Sequence, residues 1–177
     1  MVDFAAVFID GGYVDAVLRD HFRTARIDYQ VLSDDLCRPY ERWSTFYFHC
    51  PPWQDSPPTP EQRTRKSQMD RFFYTLQGLD RFEVRLGKVV MRDDGPHQKG
   101  VDIRIAIDMV RLAASNRIEK AILVSGDSDL VPAVKAVNDL NVLVDIVYHP
   151  SSIGDDLYQS ARDRTVIDRD MIDACLR

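Results

Sequence analysis

Apolar residues follow two rhythms along this chain. Residues 4–9 (FAAVFI) and 121–124 are short, unbroken apolar runs of strand length, 142–147 (VLVDIV) is apolar except for Asp145 and reads as another buried strand, and residues 45–48 (TFYF) form a fourth segment rich in aromatic side chains. Elsewhere apolar positions return at helical spacing: Tyr13, Val14, Val17, Leu18 and Phe22 after the first run, Val31, Leu32 and Leu36 after Asp28, and a long periodic stretch over 101–114. Continuous apolar strands need cover on both faces, and alternating helices supply it. The tandem order of β and α segments therefore predicts a single α/β domain, a three-layer α/β/α sandwich with a mostly parallel central sheet.

Local punctuation refines the boundaries. Asp10-Gly11-Gly12 ends the first strand, Asp28 stands where a helix cap belongs, and Pro39 follows that helix. Thr59-Pro60-Glu61-Gln62 combines a hydroxyl cap, a proline whose missing N–H costs nothing there, and a glutamine placed to complete a capping box; the expected helix runs from 60 to about 76. The segment 82–91 (FEVRLGKVVM) alternates and reads as a strand with a bulge or bend at Gly87, broken by Asp93-Asp94-Gly95-Pro96. Residues 130–140 predict a helix that accepts Pro132 in its first turn. Five of the nine prolines crowd into 51–60 (PPWQDSPPTP), which reads as a loop or flap. Residues 151–177 are expected to form a helical extension.

Length and composition narrow the class. The 177 residues, 45% of them hydrophobic, suit one core and one domain spanning 1–177. No apolar run approaches the roughly 18 residues of a membrane span, and the acidic start MVDFAAVFID lacks the features of a signal peptide, so a soluble, cytoplasmic protein without a membrane partner is expected. Cys37, Cys50 and Cys175 are far apart and odd in number, which disfavours a disulfide framework or a cysteine zinc site. The net charge of −5 argues against a surface that binds polyanions everywhere. Between residues 61 and 104, however, ten basic side chains outnumber seven acidic ones. That strip reads either as solvated surface or as a phosphate-facing patch.

In open α/β sheets the carboxyl ends of strands border the ligand crevice, so polar residues that follow strands are the first chemical candidates. Asp10 follows the first strand, Asp127 and Asp129 follow the strand ending in Val124-Ser125-Gly126, and Asp102 begins the long helix after Lys99-Gly100-Val101. Each alone has a structural explanation as a turn brace or a helix-terminus charge. Together they form a convergent acidic rim if the first and fourth strands are neighbours. Two charges about 4 Å apart repel by roughly 4 kcal/mol at an effective dielectric of 20. A shared cation would relieve this, and carboxylates without thiol or clustered imidazole select Mg2+ or Mn2+. Such a site serves phosphodiester hydrolysis without a protein nucleophile.

Ile9-Asp10-Gly11-Gly12, Lys99-Gly100-Val101-Asp102 and Val124-Ser125-Gly126-Asp127-Ser128-Asp129-Leu130, in this order, resemble the NYN domains (LabA-like) of the PIN-like nuclease superfamily. The resemblance spans roughly residues 7–150. It implies a metal-dependent endoribonuclease that cuts single-stranded or looped RNA with metal-activated water, with catalytic and metal-binding roles for Asp10, Asp102, Asp127 and Asp129. Many relatives carry asparagine where this chain has Tyr13, which removes one potential metal or substrate ligand.

Other residues have two readings. Lys99 could neutralise a substrate phosphate or only snorkel at a helix start. Ser125 could orient a carboxylate, a water or the substrate, or serve only as a small structural residue at a strand end. Asp108 matches a second acidic position of the same helix in such relatives, although pairing with Arg104 or Arg111 is the favoured reading. Trp53 could stack on a base or pack its loop; Trp43, Phe46 and Phe48 read as core. The alternative function is a catalytically weak or inactive RNA- or protein-binding module of the same fold. A phosphatase of the haloacid dehalogenase type is disfavoured because Asp10 is followed by Gly11 and Gly12 rather than D-x-D, and an adhesion-type metal turn because D-x-S-x-S is absent. Self-association as a homodimer stays open.

Overall fold

The computed structural model describes residues 3–177. The chain begins β1 (Phe4–Asp10), α1 (Gly11–His21), α2 (Tyr29–Cys37), β2 (Glu41–His49) and α3 (Pro60–Gln77). Three short strands follow, β3 (Phe82–Leu86), β4 (Lys88–Arg92) and β5 (Gly95–Lys99), then α4 (Val101–Ala114) and β6 (Lys120–Val124). A 3-10 turn at Ser128–Leu130 leads into α5 (Val131–Asp139), β7 (Leu143–Tyr148), α6 (Asp155–Ser160), β8 (Asp163–Val166) and α7 (Arg169–Ala174). Six strands form one sheet in the order β3-β2-β1-β6-β7-β8, every pair parallel, while β4 and β5 make a separate antiparallel hairpin.

Alternation along β1 shows why the sheet is covered twice. Ala5, Val7 and Ile9 face one core, where they meet Val14, Val17 and Leu18 of α1, Leu32 of α2 and Phe73 of α3. Ala6 and Phe8 face the other core, with Ile105 and Met109 of α4 and Val134 and Val137 of α5. Side chains that alternate between faces at period two require apolar partners on both. Helix α3 is the exception in this frame, because only Phe73 and Leu76 of its 18 residues are buried. Its start is held by a capping box: the Gln62 amide donates to Thr59 Oγ1 at 3.2 Å and the Thr59 amide to Gln62 Oε1 at 3.0 Å. Gln62 also bonds Asp55, which ties the proline-rich loop to the helix.

Two expectations change. Residues 82–91 are not one strand, because Gly87 diverts the chain: β3 stays beside β2 and β4 leaves the sheet. The Gly87 N–H donates to the His49 carbonyl at 2.8 Å. A β-carbon there would stand 2.7 Å from the Lys99 carbonyl and 2.8 Å from Cys50 Sγ, so only glycine passes. Asp93-Asp94-Gly95-Pro96 consequently belongs to the tip of a hairpin. Residues 151–177 hold the expected short helices but also β8, which extends the sheet beyond β7. Four residues reading DRTV carry too little apolar signal to announce an edge strand.

Leu123 is fully buried in the central strand β6, whereas Ile103 is 66% exposed. Leu123→Ala is expected to lower stability by about 2–5 kcal/mol in urea denaturation, and Ile103→Ala to change it by no more than about 0.5 kcal/mol.

Candidate active site

The strand order reverses between β1 and β6, since the chain moves outward from β1 through β2 to β3 and resumes on the other side at β6. Carboxyl ends of strands diverge at such a point and leave a crevice. Asp10 is the last residue of β1, and Ser125-Gly126-Asp127 directly follow β6. Asp102 arrives from a third direction. Gly100, at φ 84°, takes the left-handed conformation that turns the chain from β5 into α4, and Asp102 lies in that helix's first turn. The resulting cleft of about 510 Å³ is lined by Asp10, Tyr13, Gln98, Asp102, Asp127 and Ser152, with Gly12, Val101 and Gly126 completing its wall.

Each carboxylate is held differently. Asp10 caps α1: its Oδ1 accepts the Tyr13 N–H at 3.1 Å and its Oδ2 accepts the Ser125 hydroxyl at 3.1 Å. Ser125 is fully buried, and its oxygen in turn accepts the Asp127 N–H at 3.3 Å. The residue expected to touch substrate is therefore enclosed, and its hydroxyl links two of the acidic segments instead. Asp127 caps the 3-10 turn by accepting the Asp129 N–H at 2.9 Å. Asp129 is exposed and lies outside the cleft lining.

Burial raises the pKa of Asp10 above the ordinary aspartate value; the Tyr13 amide and Ser125 hydroxyl oppose the shift, and the charge of Asp127 adds to it. Asp102 is raised by burial first, then by the charges of Asp127, Asp10 and Asp129. Four acidic groups from three segments thus share one electrostatic environment, and among the described residues no basic side chain lines the cleft. The nearest relief comes from His49 at the end of β2, whose charge favours ionised Asp10. Burial disfavours protonated His49, but its 3.0 Å contact with Asp15 and that carboxylate's charge outweigh it and raise its pKa.

Hard oxygen donors without a thiol suit Mg2+ or Mn2+ in kind. Among the described residues, no three His, Cys, Asp or Glu side chains stand as a group that could hold a metal ion. Mg2+ usually retains several waters and takes only one or two carboxylates directly, so a site built from one or two of Asp10, Asp102 and Asp127 would fit it.

The remaining candidates lie around this centre. Tyr13 lines the cleft, and its hydroxyl accepts the His149 N–H at 2.9 Å, so this side chain braces the loop after β7. Lys99 ends β5 directly opposite Lys88, exposed and outside the lining. Asp108 is turned to ion pairs with Arg85 at 3.4 Å and Arg111 at 3.9 Å; Arg104 is not among its partners. Gln98, Ser152 and His49 were missed by sequence reasoning. His49 could have been found as the polar residue closing a strand beside Asp10, whereas Gln98 depends on a hairpin whose placement no local pattern reveals. A β-carbon at Gly12 would stand 3.8 Å from Gln98 Oε1 and 3.6 Å from Asp10 Oδ1, which measures how closely the hairpin overhangs the turn.

The raised pKa of Asp102 makes a signed prediction. The folded protein accepts this proton before the unfolded chain does, so the carboxylate weakens the fold above its folded-state pKa and that cost fades as pH falls into the ordinary aspartate range. In EDTA, Asp102→Asn should raise the melting temperature at pH 7, and the gap should close below about pH 4. A gap independent of pH in a thermal scan contradicts the assignment.

Comparison with known proteins agrees with this architecture. The chain superposes on the crystal structure of a protein of unknown function from Vibrio parahaemolyticus RIMD 2210633 with a TM-score of 0.73 and 25% identity, covering 99% of this chain and 97% of the other. No curated protein matches it. The family model for the NYN domain matches residues 4–168, which include β1, the turn into α4 and the segment after β6. The chain therefore belongs to the NYN domain family, a family of PIN-like nucleases.

Proposed function

We propose that this protein is a divalent-metal-dependent endoribonuclease acting on single-stranded or looped RNA. The observation that carries the reading is the convergence of Asp10, Asp102 and Asp127, from three separate segments, on one cleft at the reversal of strand order. In this reading one or two of Asp10, Asp102 and Asp127 would ligate Mg2+ or Mn2+ directly and the rest would act through the waters the ion retains, with Asp129 adding negative charge from the rim. A cation bound there supplies Lewis acidity, activating water and stabilising charge on the scissile phosphate.

The chain's own residues prepare that chemistry. The Tyr13 amide and the Ser125 hydroxyl bond both oxygens of Asp10, Ser125 also accepts the Asp127 backbone N–H, and the Asp129 N–H holds one oxygen of the Asp127 carboxylate. Preorganised groups of this kind need no rearrangement during reaction. Gly126 keeps the floor of the cleft low, because a β-carbon would overlap the Ser152 carbonyl and stand 2.7 Å from Tyr13. Gln98 offers a neutral amide beside the aspartates, suited to a ribose hydroxyl or base edge. Lys88 and Lys99, register partners in the hairpin and both exposed outside the cleft lining, would offer positive charge to phosphates of a strand that passes over the hairpin.

A second reading is an RNA-binding module of the same fold without turnover, and the lack of a ready three-carboxylate group among the described residues favours it. One experiment separates the two. Purified protein with Mn2+ should cut an unstructured RNA, and Asp127→Asn should reduce the rate at least 100-fold while leaving the melting temperature in EDTA unlowered. Isothermal calorimetry should find Mn2+ binding that Asp10→Asn weakens. Equal cleavage by Asp127→Asn identifies a contaminating activity; RNA binding without turnover under any divalent ion selects the module.

A further inference from the structure

Three hollows follow one another across the side of the molecule that carries α3. Gln98 lines both the aspartate cleft and a groove of about 270 Å³ whose walls include Trp53, Arg65, Met69, Pro96 and Val89. Gln54, the neighbour of Trp53, lines the next hollow, a shallow trough of about 680 Å³ along α3 with Arg63, Lys66, Arg71 and Tyr74. Positions 63, 66, 67, 70, 71 and 74 fall at helical spacing, so the trough is one continuous face of the helix. From Arg63 to Tyr74 this face is about 16 Å long at 1.5 Å per residue.

We infer that these hollows form a track for single-stranded RNA, running from the aspartate cleft past Gln98 and Trp53 onto the outer face of α3; the inference rests on reading the cleft as the site of RNA cleavage. Charge supports it first. The whole chain is acidic, yet α3 carries four cations, Arg63, Arg65, Lys66 and Arg71, against Glu61 and Asp70. Lys66 is paired with Asp70, whereas Arg65 and Arg71 have no carboxylate partner among the described residues. Aromatic placement supports it next. Tyr74 is 79% exposed, which packing does not explain, and the Trp53 ring is held by donation of its indole N–H to Asp55 at 3.0 Å. An exposed phenol ring and a half-buried indole on a groove wall, interleaved with unpaired cations, match an unstacked strand, whose bases stack on rings while its phosphates meet arginine. A duplex keeps its base faces to itself and would leave both rings unused. Finally, an 18-residue helix that buries only two side chains contributes little to the core for its length, and its one continuous outer face is where such a strand would lie.

The test is binding and cleavage on the same variants. Fluorescence anisotropy with a labelled, unstructured RNA of about 16 nucleotides, a length within single-strand site sizes, is measured in EDTA so that the reaction does not intervene. Trp53→Ala should weaken binding about tenfold, from the loss of one stacked base. The double variant Arg65→Ala/Arg71→Ala should weaken it and lower the slope of log affinity against log salt by about 1.4, from two lost phosphate contacts. Lys135→Ala, an exposed cation on α5 across the sheet, is the control and should change neither. With Mn2+, wild type should cleave the long RNA with higher kcat/KM than one of about 4 nucleotides, and the track variants should lose that advantage while cutting the short RNA normally.

No measurable RNA affinity, variants within twofold of the control, or equal affinity for a duplex of the same length each overturn the track. The two ideas fail separately. Track-dependent binding without Mn2+ cleavage removes the nuclease reading alone, and cleavage with track-independent binding removes the track alone.

Discussion

Like charges gathered at the carboxyl rim of a parallel sheet are the constraint around which this protein is arranged. Asp10 and Asp102 are partly buried, raised in pKa, and within electrostatic reach of Asp127. Each would gain hydration by moving into solvent, and the architecture prevents it. Asp10 is the last residue of a strand locked on both sides, by β2 and by β6. Its carboxylate is compensated by an amide and a hydroxyl, the means by which a protein keeps a buried charge without a partner ion. Asp102 lacks such hydrogen bonds and relies on the helix terminus, where amide dipoles favour an anion. The fold is thus least comfortable where it is chemically most capable, a common property of catalytic sites.

Sheet order decides which residues can meet. With β1 central and β6 its neighbour, the loops after these strands share a crevice, and the connection through β3, the hairpin and α4 must return across it. Gly87 and Gly100 control that return. The first allows the backbone to pass against Lys99 and Cys50, and the second turns β5 into α4. A bulkier residue at Gly87 would displace the hairpin, and with it Gln98 and the approach of Asp102. Two glycines distant from the carboxylates in sequence therefore help to set the shape of the cleft.

The layered fold was legible because strand burial is written in apolar runs, unbroken over Ala121–Val124 of β6 and Phe4–Ile9 of β1 and interrupted only by Asp145 within β7 up to Val147, and helix burial in the threefold or fourfold spacing of α4. The helix α4 over 101–114 and the proline-capped start of α3 agree with the structure residue for residue at those ends. Legibility failed where the signal is not local. β8 is a short polar edge strand, recognisable only once β7 offers it an open side. The separation of β3 from β4 depends on a close backbone approach at Gly87 that a reader of sequence sees merely as a bend. At the site, Asp10, Asp102 and Asp127 could be named because each follows a strand or opens a helix. The exposure of Asp129 outside the cleft follows from a 3-10 turn, and the enclosure of Ser125 from the packing of β6 against β1; neither is set by residue type. Gln98 and Ser152 belong to segments brought over the cleft by tertiary contacts alone.

On the proposed reading, an acidic chain that acts on RNA faces a difficulty that its charge distribution answers. The cleft repels phosphate, since among the described residues its lining holds three aspartates and no basic residue. Distant charges do not correct this, because salt screens exposed groups over roughly 8–10 Å. Attraction has to come from cations beside the path of the strand, within a Debye length of its phosphates, and must not neutralise the aspartates themselves. A basic face on a separate helix, joined to the cleft by a neutral glutamine and a tryptophan, satisfies both requirements. Arginines placed among the aspartates would form ion pairs, lower their pKa values and occupy the oxygens a cation needs. On that reading, segregation of the two charge signs onto different elements is the arrangement that would let one small domain hold both a metal ion and a nucleic acid.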